Sequence, residues 1–297
     1  MRITNNMLSQ NLLRNLETAQ GKMDQLQNQL SSGHRINRPS DDPAGIQNAM
    51  RLKSNISSVE QWKSNTDEEL SYMTTTDSTL GDMTSMLQRV RELAVQGANG
   101  TLATVDKSAI ADEVDQISAQ LQMMANTQIG SKHIFSGTAT DKPLVISLPD
   151  GAVSGGNAEK VMFEVGNNLS LPISVNGQDL FGSTAVPSGV FTTLSALSKA
   201  LKDNDSANIN KALGDIDANI DNVITLRSGL GARTNRMTAL QEQLDYTSAN
   251  LTQNLSSIED ADMAKTITDF TNSQNVYKAA LSVGAKIIQP SLVDFMR

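Results

Sequence analysis

Two one-sided helical stripes, one at each end of the chain, constrain the fold more than any other feature. From Leu8 the apolar residues fall at Leu8, Leu12, Leu16, Met23, Leu26 and Leu30, spaced by threes, fours and one seven. That is the seam of a helix that packs along its whole length. Near the other end Met263, Ile267, Phe270, Tyr277, Leu281, Ile288, Leu292 and Phe295 repeat the rhythm. Each stripe needs a surface to cover it, and the simplest candidates are the other stripe or its copy in a neighbouring chain. The chain therefore reads as a self-assembling structural protein.

Charge supports this reading. Residues 1–32 carry Arg2, Arg14 and Lys22 against Glu17 and Asp24, and residues 262–297 carry four basic against three acidic groups. The net charge of −8 thus sits in the middle of the chain. Nearly neutral, amide-rich ends can be buried against other chains with few stranded ions, while the acidic middle faces water. No cluster of Lys and Arg offers a nucleic-acid surface.

Ordering about thirty terminal residues costs about 1–2 kcal/mol each, whereas burying about six Leu and Met side chains returns roughly 1.5–3 kcal/mol apiece. Both termini are therefore expected to be largely disordered in the free monomer and to fold when neighbours complete the seam.

Between the stripes the spacing predicts long helices. The first should run from Asn5 to Ser31 and stop at Gly33. In the linker that follows, Pro39 pushes Arg38 into an extended conformation, and Asp42-Pro43 reads as a cap plus first helical residue. Leu52, Val59, Thr66, Met73, Leu80, Leu87 and Ala94 then recur every seven residues, a helix of over about 60 Å. Gly97-Ala98-Asn99-Gly100 ends it, and Ile110, Val114, Ile117, Leu121 and Met124 carry a third helix back alongside. Only 3% of residues are aromatic, a scarcity that suits thin helices better than a globule.

Residues 134–190 hold eight of the nineteen glycines and four of the seven prolines. Val161, Phe163 and Val165 alternate, Gly166-Asn167-Asn168 turns, and Leu169, Leu171, Ile173 and Val175 alternate back, which predicts a β-hairpin. Helical spacing returns at Leu194 and continues past Gly229 and Gly231 to Ile258. Ser257-Ile258-Glu259-Asp260 has capping-box spacing, so the last helix is expected to restart near Asp260. The fold class is mainly α with an inserted β domain. Its expected parts are terminal helices at 1–32 and 262–297, long helices at 33–133 and 191–261, and a β-rich insertion at 134–190.

Nothing assembles into a catalytic centre, and no metal or cofactor site is expected. There is no cysteine, and His34 and His133 are far apart. Asp215, Asp217, Asn219 and Asp221 alternate like a calcium loop, but Ile220 and Leu226 stand where the loop needs glycine and glutamate. No glycine-rich phosphate motif or hydrolase string occurs. The longest unbroken apolar run is three residues, which predicts neither a membrane span nor a cleaved signal peptide.

Several strings resemble the bacterial flagellin superfamily. They are Leu30-Ser31-Ser32-Gly33-His34-Arg35-Ile36-Asn37 with Asp41-Asp42, Gly231-Ala232-Arg233-Thr234-Asn235-Arg236-Met237, and Ser257-Ile258-Glu259-Asp260-Ala261-Asp262-Met263-Ala264. Met1-Arg2-Ile3-Thr4, Ser40-Asp41-Asp42-Pro43 and Ser291-Leu292-Val293-Asp294-Phe295-Met296-Arg297 are similar to the hook-filament junction branch. The resemblance implies an extracellular adaptor of the flagellum, exported unfolded by the flagellar type III apparatus. The implied partners are copies of itself, hook-associated protein 1 on the hook side, flagellin on the filament side, and an export chaperone. A short flagellin, or an extracellular binding module carried on long helices, are the competing readings. The linker motif Gly33, Arg35, Ile36, Asn37, Asp41, Asp42 and Pro43 and the two terminal stripes are the candidate functional residues.

Overall fold

The computed structural model describes residues 5–145, 156–166, 168–182 and 189–288. The elements in order are α1 (Asn5–Ser32), α2 (Pro43–Gly97), α3 (Thr104–Ala125), β1 (Gln128–Ile129), β2 (Lys132–His133), β3 (Met162–Gly166), β4 (Leu169–Pro172), α4 (Gly177–Phe181), α5 (Val190–Lys202), α6 (Ser206–Glu259) and α7 (Met263–Ile288). The expected mainly α chain with a small β region is what the structure shows. At 55 and 54 residues, α2 and α6 are each about 80 Å long.

The chain divides into two compact units. Unit 1 comprises Met1–Ser58 and Thr247–Arg297; it holds α1, the linker to α2, α7 and the adjoining ends of α2 and α6. Among the described residues its buried apolar side chains are Leu26, Ile36 and Ala49.

Unit 2, Val59–Tyr246, has one continuous core. The heptad positions Met73, Leu80, Leu87 and Ala94 of α2 bury against Ile110, Val114 and Leu121 of α3, Leu194, Leu197 and Leu201 of α5, and Ile216, Val223 and Met237 of α6. Ile134, Phe135, Leu144, Val165, Ile173 and Val175 from the glycine-rich region belong to the same cluster. Phe181 meets Phe135 edge-on and stacks on Phe191 of α5, with ring centroids 5.9 and 5.2 Å apart. The inserted strands thus complete a helical core.

Antiparallel pairing of α2 with α6 in this unit is written in a ladder of polar pairs. Lys63 meets Asp245, Asp67 meets Gln241, Arg227 grips Asp77 with two bonds of 2.8 and 3.0 Å, and Arg91 meets Asp217 at 2.6 Å. Asp217, one of the alternating acids that resemble a calcium loop, is a rung of it.

β3 and β4 form the expected hairpin, with Phe163 opposite Leu171 and a register shift between Glu164 and Gly166. Asn168 takes a positive φ of 57° at its turn; Asn167 lies outside the described residues. Three details differ from expectation. A second hairpin, β1–β2, turns at Gly130 (φ 62°) with only two residues per strand. Within the insertion expected to be β-rich, Asn176-Gly177 opens the short helix α4, the Asn176 side chain accepting from the Gln178 amide. The last helix starts at Met263, not near Asp260, and its first turn is capped by Asp262, which accepts from the Lys265 amide at 3.1 Å. Ser257 is no cap, because its hydroxyl donates back to Asn254 O within α6.

Candidate assembly site

The linker motif folds into a clasp that ties the start of the chain to its end, wholly within unit 1. Gly33 takes φ 74°, a left-handed conformation that ends α1 at little cost only for glycine. The turned chain then lies antiparallel to residues 258–261. Arg35 N donates to Glu259 O at 2.6 Å and Ala261 N to Gly33 O at 2.9 Å, bridging His34 and Asp260. His34 Nδ1 lies 3.2 Å from Asp260 Oδ1 and 3.9 Å from Glu259 Oε1. Lys53 of α2 reaches the same Glu259 oxygen at 2.6 Å.

Each motif residue has a separable task. The Arg35 guanidinium donates to Ile258 O at 2.8 Å and to Asp42 Oδ2 at 3.3 and 3.4 Å, so one planar group spans both segments. Asp42 meanwhile caps α2 through Gly45 N at 2.9 Å. That amide, followed by the Arg35 cation, holds the Asp42 carboxyl below the usual range. Asp41 Oδ2 accepts from the amides of Asn37 (3.1 Å) and Arg38 (2.8 Å), shaping the loop, and Asn37 Nδ2 returns to His34 O. Pro43 is the first residue of α2, where a missing N–H costs nothing. Ile36, 2% exposed, is the apolar plug. A Cβ on Gly45 would stand 2.6 Å from Ile36 Cδ1, so any larger residue there would have to displace the buried Ile36 side chain.

Beyond the clasp α1 and α7 pack together. A Cβ on Gly284 would fall 2.7 Å from Leu12 Cδ2. With the Gly33–Ala261 bond at the other end, this contact sets an antiparallel register. Along α1 the covered stripe is Leu12, Leu16, Ala19, Met23, Leu26 and Leu30; along α7 it is Thr266, Phe270, Ser273, Tyr277, Ala280 and Gly284. Both step by fours and threes. Of the stripes read from the sequence, Leu12, Leu16, Met23, Leu26, Leu30, Phe270 and Tyr277 lie on this seam. Met263, Ile267 and Leu281 do not: they are 42%, 53% and 46% exposed and flank the seam on one side, as the exposed Val276 and Val283 flank it on the other. Met7 and Leu13 of α1 are exposed too. Leu8 and Ile288 sit in helices but their side chains, like all of Leu292 and Phe295, lie outside the described residues.

Ala19, Thr266, Ser273, Ala280 and Gly284 were not singled out by the sequence reading. The signal that finds them is the strict four-three step, continued through small and polar residues. His133 is a satisfied structural group, with Nε2 2.8 Å from Gln128 and Nδ1 3.1 Å from Asn126 O. No described helix is long and apolar enough to cross a membrane.

Comparison with known proteins agrees with this architecture. The family model for the bacterial flagellin N-terminal helical region matches residues 3–140, and that for the C-terminal helical region matches residues 213–296. The flagellin of Bacillus subtilis (strain 168) is 30% identical over 97% of both chains. Among solved structures, a putative flagellar hook-associated protein from Vibrio parahaemolyticus shares the fold with a TM-score of 0.68. It is 21% identical, and the match covers 74% of this chain and all of that one. The flagellar junction protein FlgL from Legionella pneumophila does so with a TM-score of 0.56 at 18% identity, over 71% of this chain and all of that one. With both family models matched and the clasp joining its two ends, the chain belongs to the bacterial flagellin family and is a structural component of the flagellum.

Proposed function

We propose that the chain is the adaptor between hook and filament, assembling through its terminal helices. The observation that carries the assembly part is the set of large apolar side chains left exposed on both flanks of the α1–α7 seam. Met263, Ile267 and Leu281 on one flank of α7 and Val276 and Val283 on the other remain exposed after the two helices have covered each other, and such flanks call for further subunits. The adaptor part is supported by the likeness to a hook-associated protein and a junction protein across their whole solved lengths. In this reading the partners are copies of the chain, hook-associated protein 1 and flagellin. An export chaperone holds the C-terminal segment beforehand, and the chain leaves by the flagellar type III route without a cleaved signal peptide. The assembly interface comprises the seam residues named above and the outward Met263, Ile267 and Leu281, with Leu8, Ile288, Leu292 and Phe295 completing it.

A filament-forming flagellin is the second reading, favoured by the 30% identity to a flagellin over nearly the full length of both chains. Electron microscopy of cells lacking the chain separates the two. An adaptor's loss leaves bare hooks and intact flagellin in the medium, whereas loss of the filament subunit leaves no flagellin there. Purified adaptor also stays short of long filaments under conditions in which flagellin polymerises.

A further inference from the structure

A cleft of about 540 Å³ opens in unit 2 between α2, the β1–β2 hairpin and β3. Its walls are largely apolar, supplied by Ile129, Val161, Met162 and Phe163. One charged-type side chain in the lining is anomalous. Glu69 of α2 is 1% exposed, and neither carboxyl oxygen has a hydrogen-bond partner among the described residues. Buried polar groups are almost always paired, so an orphaned carboxyl beside a cavity points to a partner supplied from elsewhere. Its neighbour Glu68 also lines the cleft and adds negative potential.

The other titratable groups facing the cleft do not meet the need. Tyr72 donates its hydroxyl to Ile134 O at 2.6 Å, and burial pushes its pKa to about 12, so it stays neutral. Lys132, on the β1–β2 hairpin, is exposed and makes no ion pair with Glu69. The lining residues of β3, the 138–140 segment and Ile173 carry no ionisable side chain.

We propose that this cleft receives a basic side chain, an arginine or lysine of a neighbouring flagellar subunit, whose alkyl stem lies on Met162 and Phe163 and whose cation pairs with Glu69. The chemistry is that of an apolar slot with an anion in its wall: the stem is desolvated at no cost and the charge finds a dry counter-ion. Empty, the cleft leaves Glu69 desolvated, which with the charge on Glu68 raises its pKa to about 7. Occupation by a cation favours the ionised form, so affinity rises with pH. The inference rests on the assembly reading only for the source of the cation, not for the slot itself.

The test uses the full chain as monomer with N-acetyl-L-arginine amide as probe, read by amide chemical shifts. Saturable shifts at Ile129, Gly130 and Phe163 are expected, with about tenfold tighter binding at pH 8 than at pH 6, following the ionised fraction of a group near 7. Glu69→Gln should weaken binding at least tenfold at pH 8 and flatten the pH dependence. Equal binding of the neutral N-acetyl-L-citrulline amide, or an unchanged Glu69→Gln, overturns the proposal. So does binding that emerges only in Lys132→Ala, since the chain's own lysine would then be the partner. A photo-crosslinking residue at Met162 in assembled flagella identifies the source: adducts to another flagellar subunit support it, and adducts confined to the same chain overturn it. If the chain forms filaments instead of the junction, adducts go to its own copies and probe binding is untouched, so the two failures are distinguishable.

Discussion

Three residues show how much a single side chain can hold here. Arg35 is bonded to both the Ile258 carbonyl and Asp42. Lysine keeps the charge but lacks the fork, so Arg35→Lys is expected to leave global stability nearly intact. The Arg35 and Ala261 amides should then exchange at least threefold faster, as measured by hydrogen exchange. Asp42 has its pKa lowered, chiefly by the Gly45 amide. Its contribution is therefore present above the ordinary carboxylate range and lost as pH falls through the depressed value. Glu69 has the opposite sign. Its pKa is raised from 4.5 to about 7 by burial and by Glu68, so folding favours the neutral acid. Stability is full below about 4.5 and is lost as pH rises through 7. Glu69→Gln should be more stable than the native chain by about 2 kcal/mol at pH 8 and indistinguishable from it at pH 4, by urea titration.

At the scale of elements, the α1–α7 seam is where packing can be tested directly. Leu26, near its clasp end, is 8% exposed, and Leu26→Ala should cost about 2–4 kcal/mol. At Gly284 the obstacle to a Cβ is the flexible end of Leu12. Alanine gains about 1 kcal/mol of helix propensity against a small shift of Leu12 and should be near neutral. Gly284→Val should destabilise the pair by about 1–3 kcal/mol, seen as lost helical signal at 222 nm. Sequence made the α1 stripe legible because it is built from Leu and Met. On α7 it marked the aromatics Phe270 and Tyr277 but not the small and polar residues Thr266, Ser273, Ala280 and Gly284 that continue the covered stripe, because the larger aliphatics there flank the seam. The same limit applies at Asp262, whose third neighbour is Lys265 and not the Glu or Gln of a capping box. It applies also at β1–β2, where two-residue strands leave no alternation to read.

For the whole molecule, heptads in α2 and the Asp42-Pro43 start gave the long helices, and alternation from Val161 to Val175 gave the main hairpin. What the pattern could not show is that Ile134, Phe135, Val165 and Ile173 share one core with α2, α3, α5 and α6. Burial of those side chains depends on which helices they meet, and local spacing carries no record of that. Deleting residues 134–190 is accordingly expected to unfold unit 2, read as loss of a cooperative thermal transition, and not to trim a surface ornament. The clasp, by contrast, was visible as a motif but not as a contact, since its two halves stand more than two hundred residues apart.

That separation bears on order of events. The bridge between His34 and Asp260 closes one of the longest loops the chain can make, and closing a loop of that size is entropically costly until the intervening helices have shortened the distance. A polypeptide threaded through a narrow passage from either end cannot fasten this bridge until almost all of it has come through. Gly33, Arg35 and Asp260 therefore come together late, after the helices between them have drawn the two segments close.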